Sequence, residues 1–95
     1  MNVQHDLAHQ EFSIAPTDPQ QEPAELAYSR PSPDLVDFTH TFVPAERRGQ
    51  GEAEELARAG LAYARQQHWR VRTSCPFMAA FVARHQAEYA DILEQ

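Results

Sequence analysis

The chain of 95 residues fits one domain, so residues 1–95 are predicted to fold around a single thin core, as a monomer or weak dimer. Its formal net charge of -6 at pH 7 argues against nucleic acid as a partner, because phosphate-backbone binding requires a dense cationic face. One cysteine, no signal-peptide pattern and no long apolar run together predict a cytoplasmic domain without a membrane segment.

Short strands interrupted by proline are predicted in the first half of the chain. Phe12 and Ile14 alternate with polar neighbours, which is typical of a half-buried strand, and a second strand is predicted over residues 25–29. Residues 35–43 form the strongest strand pattern because they are rich in Val, Phe and Thr. Regular alternation places His40 on the same face as Phe38, and apolar residues on both faces predict a central strand covered on both sides.

Helical spacing dominates the second half. Small and apolar residues recur three and four apart over residues 51–68, a strand pattern follows over 69–74, and Pro76 opens a second helix that is predicted to break near His85. This order predicts an α/β (α+β) fold with a mixed, mainly antiparallel sheet, a helix after the central strand and a C-terminal helix. The two strands that flank the first helix are predicted to be parallel if they are neighbours.

The segment between Val43 and Ala53 combines a strand end, two glycines and a helix start. Glycine lets the backbone turn sharply and approach a ligand, and the free N–H groups of a helix's first turn favour an anion. Arg48 adds a forked cation suited to phosphate oxygens. A turn needs glycine in any case, so the pattern alone leaves a purely structural role open. The spacing matches neither a Walker loop nor the dinucleotide fingerprint, which argues against ATP and NAD.

The run Arg48-Gly49-Gln50-Gly51-Glu52-Ala53 resembles the Arg/Gln-x-x-Gly-x-Gly/Ala motif of the GNAT acetyltransferase superfamily. The chain is most similar to its miniature branch, the YidJ-like or NATD-type domains. Their pattern His-Thr-x-Val-Pro-x-x-x-Arg-Gly-x-Gly is met from His40 to Gly51, and their Cys-Pro segment, which ends in His, is met from Ser74 to His85. Glu52 departs from the pattern, because an apolar residue is usual there, and so does Gln86, where proline is usual.

This resemblance implies a GNAT-like fold, acetyl-CoA as cosubstrate and an unidentified amine as acceptor. It also implies that the diphosphate lies on the backbone of the turn and that the pantetheine arm enters a gap between the strand with His40 and the strand ending at Cys75. The cofactor-binding residues are then Val43, Arg48, Gly49, Gln50, Gly51, Glu52 and Ala53. Glu52 is expected to place an extra negative charge near the phosphates.

Cys75 and His40 are the candidate catalytic residues. Cys75 precedes Pro76 and is predicted at a helix cap, where the helix dipole favours a thiolate, although a free cysteine is often a small buried side chain. His40 is either a core histidine or, if the two strands diverge, a general base that acts on the thiol or on the acceptor amine. His5, His9 and His68 are predicted to be solvated and His85 to be structural. No histidine or cysteine spacing indicates a metal site.

Two functions remain open from the sequence. The first is an N-acetyltransferase that moves an acetyl group to an amine, either directly or through an acetylated Cys75. The second is a CoA-binding or protein-interaction module with little turnover, since a short chain has few segments with which to enclose an acceptor.

Overall fold

The computed structural model describes residues 2–94. Five strands form one sheet in which each strand lies beside its neighbour in the chain. The first three pairings are antiparallel and the last is parallel. The strands are β1 (Val3–Asp6), β2 (Glu11–Ile14), β3 (Ala24–Ser32), β4 (Leu35–Phe42) and β5 (Arg70–Thr73). This mixed, mainly antiparallel sheet confirms the predicted fold class.

The helices follow the sheet in the predicted order. A 3-10 turn, Ala45–Arg47, leads from β4 toward the first helix, and a second 3-10 turn, Ala90–Ile92, closes the chain. Between them are α1 (Glu52–Gln66), α2 (Pro76–Arg84) and α3 (Gln86–Tyr89). Since α1 carries the chain from one end of β4 back to the start of β5, the two strands run parallel. None of these helices, within residues 2–94, has the length and apolar character that crossing a bilayer requires.

One face of the sheet carries the core. Leu26, Phe38 and Val71 on the strands form a single buried cluster with Leu56 of α1 and Phe81 of α2. Phe81 and Tyr89 are buried as expected for core aromatics, while Trp69 and Phe77 pack against the cluster from partly buried positions.

Gly60 lies where α1 packs closely against the sheet. A Cβ placed on Gly60 would lie 2.8 Å from Phe38 Cε1 and 3.0 Å from Leu26 Cδ2. Real carbon atoms do not approach so closely, so glycine is the residue that lets the helix sit at this depth.

Strand β4 changes character along its length. Residues 35–38 are buried, so the prediction of cover on both sides holds for this half. Thr39 and His40 are exposed, and that prediction is wrong for them. These two side chains face solvent, as one side of an antiparallel sheet commonly does.

The first strand was not predicted from the sequence, and His5 within it was wrongly expected to be solvated. His5 is half-buried, its Nε2 lies 2.7 Å from the Tyr28 hydroxyl, and its ring stacks on Phe12 with centroids 4.0 Å apart. The pattern Val-Gln-His-Asp has one apolar residue, so pairing with β2 and not local propensity makes it a strand. His9 and His68 are exposed as predicted.

His5 gives the fold a pH dependence whose sign follows from its environment. Burial lowers the pKa of His5 below 6.5, so the unfolded chain binds a proton more readily than the folded chain does. The free energy of unfolding is therefore expected to fall as the pH drops through 6.5 toward the folded pKa. Urea unfolding at pH 5.5 and pH 7.5 measures this difference, and His5→Gln should reduce it.

The contribution of His9 to the pH dependence must be removed first. The hydrogen bond with Asp6 raises the pKa of His9, so His9 makes the free energy of unfolding rise as the pH drops, opposite to His5. The comparison is therefore made between His9→Gln and the double variant with His5→Gln. Equal pH dependence in both would contradict the assignment to His5.

Candidate functional site

The turn between β4 and α1 is built on two glycines in the left-handed region. Gly49 has φ of 83° and Gly51 has φ of 87°, conformations that side chains other than glycine adopt only with strain. A Cβ on Gly49 would have no heavy atom within 4 Å, so backbone conformation and not crowding accounts for glycine there. Gly51 is the N-cap of α1. The glycines thus permit the chain to leave the 3-10 turn and enter the helix within a few residues.

This turn leaves a run of amides without protein partners. The N–H of Arg48 donates to the carbonyl oxygen of Ala45, and the next amide with an acceptor is that of Glu55, which donates to Gly51. Within residues 2–94 no protein atom accepts from the N–H groups of residues 49–54, and no side chain caps Gly51. Such a run at a helix N-terminus has the geometry and the partial positive charge that suit an anion. The residues present therefore fit a diphosphate.

A cleft of about 220 Å³ opens over these amides. Most of the cofactor-binding residues predicted from the sequence meet there, and Gln50 is not among the lining side chains. The cleft is lined by Val43, Arg47, Arg48, Gly49, Gly51, Glu52, Ala53 and Glu54.

Arg48 and Arg47 occupy opposite environments beside the cleft. Arg48 is exposed, and its Nε donates to the carbonyl oxygen of Val43 at 3.0 Å, which ties the turn to the end of β4. Arg47 is 7% exposed and its Nε donates to Glu52 Oε1 at 2.9 Å. Glu52 thus has a buried ion-pair partner, so it does not present the uncompensated charge expected from the sequence. An arginine and a glutamate five residues apart, with the glutamate at a normally apolar position, were the available signal for this pair.

The gap between β4 and β5 begins where their pairing stops. The last pair is Phe38 with Thr73, and the amide of Cys75 donates to the carbonyl oxygen of Phe38 at 2.9 Å. On its other side β4 remains paired with β3 as far as Phe42. The backbone of residues 39–42 consequently has an edge that β5 does not cover. This edge is the site at which the resemblance places the pantetheine arm.

A β-bulge at Thr39 redirects the side chains of this edge. Tyr28 pairs with Phe38 and Ala27 pairs with His40. Thr39 is therefore an extra residue in β4 that has no partner in β3. Their partners Ala27 and Tyr28 are consecutive in β3, so they point to opposite faces of the sheet. Paired residues share a face, so His40 lies on the opposite face from Phe38. The prediction that these two residues share a face is therefore wrong, because regular alternation does not survive a bulge.

His40 and Cys75 are not brought into contact. His40 is exposed on the open face of the sheet, whereas Cys75 is 4% exposed and belongs to the core. The Sγ of Cys75 lies 3.3 Å from Thr41 Oγ1, which is its one side-chain hydrogen-bond contact within the described residues. Cys75 is the N-cap of α2 with Pro76 directly after it, as predicted.

Asp37 positions the end of β5 from β4. Its carboxylate is 8% exposed and accepts from the Ser74 hydroxyl at 2.7 Å and from the Ser74 amide at 3.0 Å. These bonds hold the residue immediately before Cys75 at the start of the gap. Sequence reasoning missed Asp37 because an aspartate inside a strand pattern is usually a solvent-facing residue.

Acidic, histidine and cysteine side chains do not gather elsewhere in a way that suggests a metal. In the part of the chain that the structure describes, no group of three or more of them is placed to hold an ion.

Comparison with known proteins places this fold and turn in one family. The model of the GCN5-related N-acetyl-transferase family matches residues 11–92. The chain therefore belongs to the GCN5-related N-acetyltransferases.

The individual relatives agree with this assignment. Protein NATD1 of Bos taurus is 30% identical over 82 residues, which cover 86% of this chain and 72% of that protein. Protein NATD1 of Danio rerio is 29% identical over the same share of this chain and 74% of its own length. A GCN5-like protein from Staphylococcus aureus, determined by NMR in solution, superposes with a TM-score of 0.73 at 25% identity, covering 98% of this chain and 87% of that one.

Proposed function

We propose that this domain binds acetyl-CoA at the turn before α1 and transfers the acetyl group to an amine. The observation that carries the proposal is the run of unpartnered amides at residues 49–54 beside a cleft. A diphosphate is a natural ligand for such a run, because it supplies several acceptor oxygens and negative charge at the positive end of a helix dipole. Arg48 adds donors from the solvent side of the same cleft.

The uncovered edge of β4 supports a path from this anion site to the reacting centre. Main-chain groups of residues 39–42 face the gap beside β5. An extended ligand arm can form hydrogen bonds with them in the way that an additional strand pairs with a sheet edge. Acetyl-CoA supplies the activated acetyl group as a thioester. The bulge at Thr39 changes the direction of the backbone at this point. A backbone N–H group held there is suited to stabilise the oxyanion that forms when the thioester is attacked, typically by about 3 kcal/mol.

The placement of the two candidate residues favours direct attack by the acceptor over a Cys75 intermediate. Cys75 is buried and its side-chain partner is the Thr41 hydroxyl, which is too weak a base to generate a thiolate nucleophile. His40 is exposed on the open face, where an amine has free access. In this proposal the imidazole of His40 takes the proton that the amine nitrogen loses as it forms the new amide bond.

A melting scan tests the binding step. Ligand at 100 times its dissociation constant is expected to add about 2.7 kcal/mol to the free energy of unfolding. Millimolar acetyl-CoA should therefore raise Tm, and an unchanged Tm at that concentration would count against the binding site. Intact-mass and free-thiol assays with polyamines and lysine peptides then measure transfer.

The two candidate catalytic residues are expected to respond differently to truncation. His40→Ala should lower kcat/KM for transfer by about 100-fold, which is the lower range for loss of a general base. Cys75→Ala should leave kcat/KM within about threefold of the wild-type value, because in the direct route this side chain only packs in the core. Full activity of His40→Ala together with an inactive, folded Cys75→Ala would reverse the assignment and favour the acetyl-cysteine route.

A second function is favoured by one observation. The separation of His40 from Cys75 leaves the gap without a nucleophile and base in contact, as expected of a CoA-binding module with little turnover. A rise of Tm with acetyl-CoA, without thiol release for any amine tested, would identify this second function.

A further inference from the structure

Arg47 is a cation buried in the wall of the cleft. Besides its ion pair with Glu52, its Nη1 donates to the carbonyl oxygen of Glu22 at 3.0 Å and lies 3.5 Å from Gln21 Oε1. Gln21 and Glu22 lie in the segment before β3, separated from it by Pro23, whereas Glu52 is the first residue of α1. One guanidinium therefore joins the segment before β3 to the helix end that carries the free amides.

Glu52 explains why a cation is needed at this point. Its carboxylate is 8% exposed and lines the same cleft as the free amides. A negative charge so close to a bound diphosphate would repel it, and poor hydration in a buried position would strengthen the repulsion. The ion pair with Arg47 cancels this charge within the protein before any ligand arrives.

Arg47 also has donors that the protein does not use. Within residues 2–94 its Nη2 is buried and has no hydrogen-bond partner. A buried donor without an acceptor costs free energy, and on a cation this cost is larger. An anion in the cleft would offset the cost by adding negative charge beside the guanidinium. The unused donor of Arg47, and not the net charge of the neutral Arg47–Glu52 pair, therefore favours an occupied site over an empty one.

We propose that Arg47 is a positioning residue of the diphosphate site, which it makes usable by neutralising Glu52 at the first turn of α1. This inference rests on the proposed function, because it concerns the same ligand. If residue 52 were apolar, as is usual in the family pattern, there would be no charge for Arg47 to neutralise.

A charge cycle tests the proposal. The proteins are wild type, Arg47→Met, Glu52→Gln and the double variant, with Ala62→Val, an exposed change on α1, as the control for handling and stability. Calorimetry measures the Kd for coenzyme A, NMR titration measures binding of pantetheine, which lacks the diphosphate, and melting scans establish that each protein is folded. Arg47→Met leaves Glu52 unpaired and should weaken coenzyme A binding by about tenfold or more, with pantetheine binding unchanged.

The double variant should recover to within about threefold of wild type, because the neutral Gln removes the repulsion. Arg47→Met that binds coenzyme A like wild type, or that loses pantetheine binding equally, would overturn the inference. If Arg47→Met does not fold, Glu52→Gln decides alone: equal or tighter coenzyme A binding supports the proposal, and about tenfold weaker binding refutes it. Wild type that binds no coenzyme A would instead refute the proposed function itself.

Discussion

Replacing Gly51 with valine is expected to weaken acetyl-CoA binding by about 30-fold, equivalent to about 2 kcal/mol. Gly51 has φ of 87°, and a β-branched residue is a strained outlier at such an angle. The backbone would relax toward negative φ, which turns the amides around the N-cap of α1 away from a common target. The effect should fall on Kd, because in the proposed complex the turn contacts the diphosphate and not the reacting acetyl group.

Calorimetry with acetyl-CoA measures this change at a temperature where each variant is folded. Ala62→Val is the matched control, since it adds the same side chain to an exposed position of α1 and should leave Kd within about twofold. Binding by a folded Gly51→Val variant at wild-type affinity would mean that these amides are not the anion site.

Replacing Gly60 with valine is expected to lower the free energy of unfolding by about 3 kcal/mol. The first added carbon already lies 2.8 Å from Phe38 Cε1, and Phe38 is buried in the core at 1% exposure. Helix α1 would have to lift from the sheet. Gly60→Ala should cost less, because alanine's better helix propensity offsets about 1 kcal/mol of the strain.

Urea unfolding of both variants measures the two losses. Ala62→Val again serves as control, because it has the same β-branched side chain on the exposed side of α1 and should cost less than about 1 kcal/mol. A Gly60→Val variant as stable as this control would show that α1 does not pack at the depth described.

The elements predicted correctly are those with a strong local pattern. The repeat of apolar residues three and four apart identified α1, and Pro76 identified the start of α2. Strand β1 has no such pattern, and its pairing with β2 supplies what the local sequence lacks. The bulge at Thr39 was equally hidden, because the pairing partner on β3 decides which residue of β4 is the extra one.

The candidate site divides in the same way. The glycine turn was readable because positive φ and a helix start leave a mark on the sequence. The contacts of Arg47 reach Glu22, 25 residues earlier in the chain, and those of Asp37 reach Ser74, 37 residues later. The periodic patterns of helices and strands do not predict contacts between residues so far apart in the chain, so buried polar partners can be identified only from the folded structure.

The bulge also places neighbouring positions of one strand under different constraints. Val36 and Phe38, before Thr39, are packed in one cluster with the helices, and their replacement is expected to alter the stability of the whole domain. His40, directly after Thr39, is exposed on the opposite face, so a new side chain at this position is expected to cost folding little, whereas Thr41 still contacts the buried Cys75. If acceptors bind on the open face, as proposed above, a very small acyltransferase scaffold can in this way acquire different acceptors while its core stays the same.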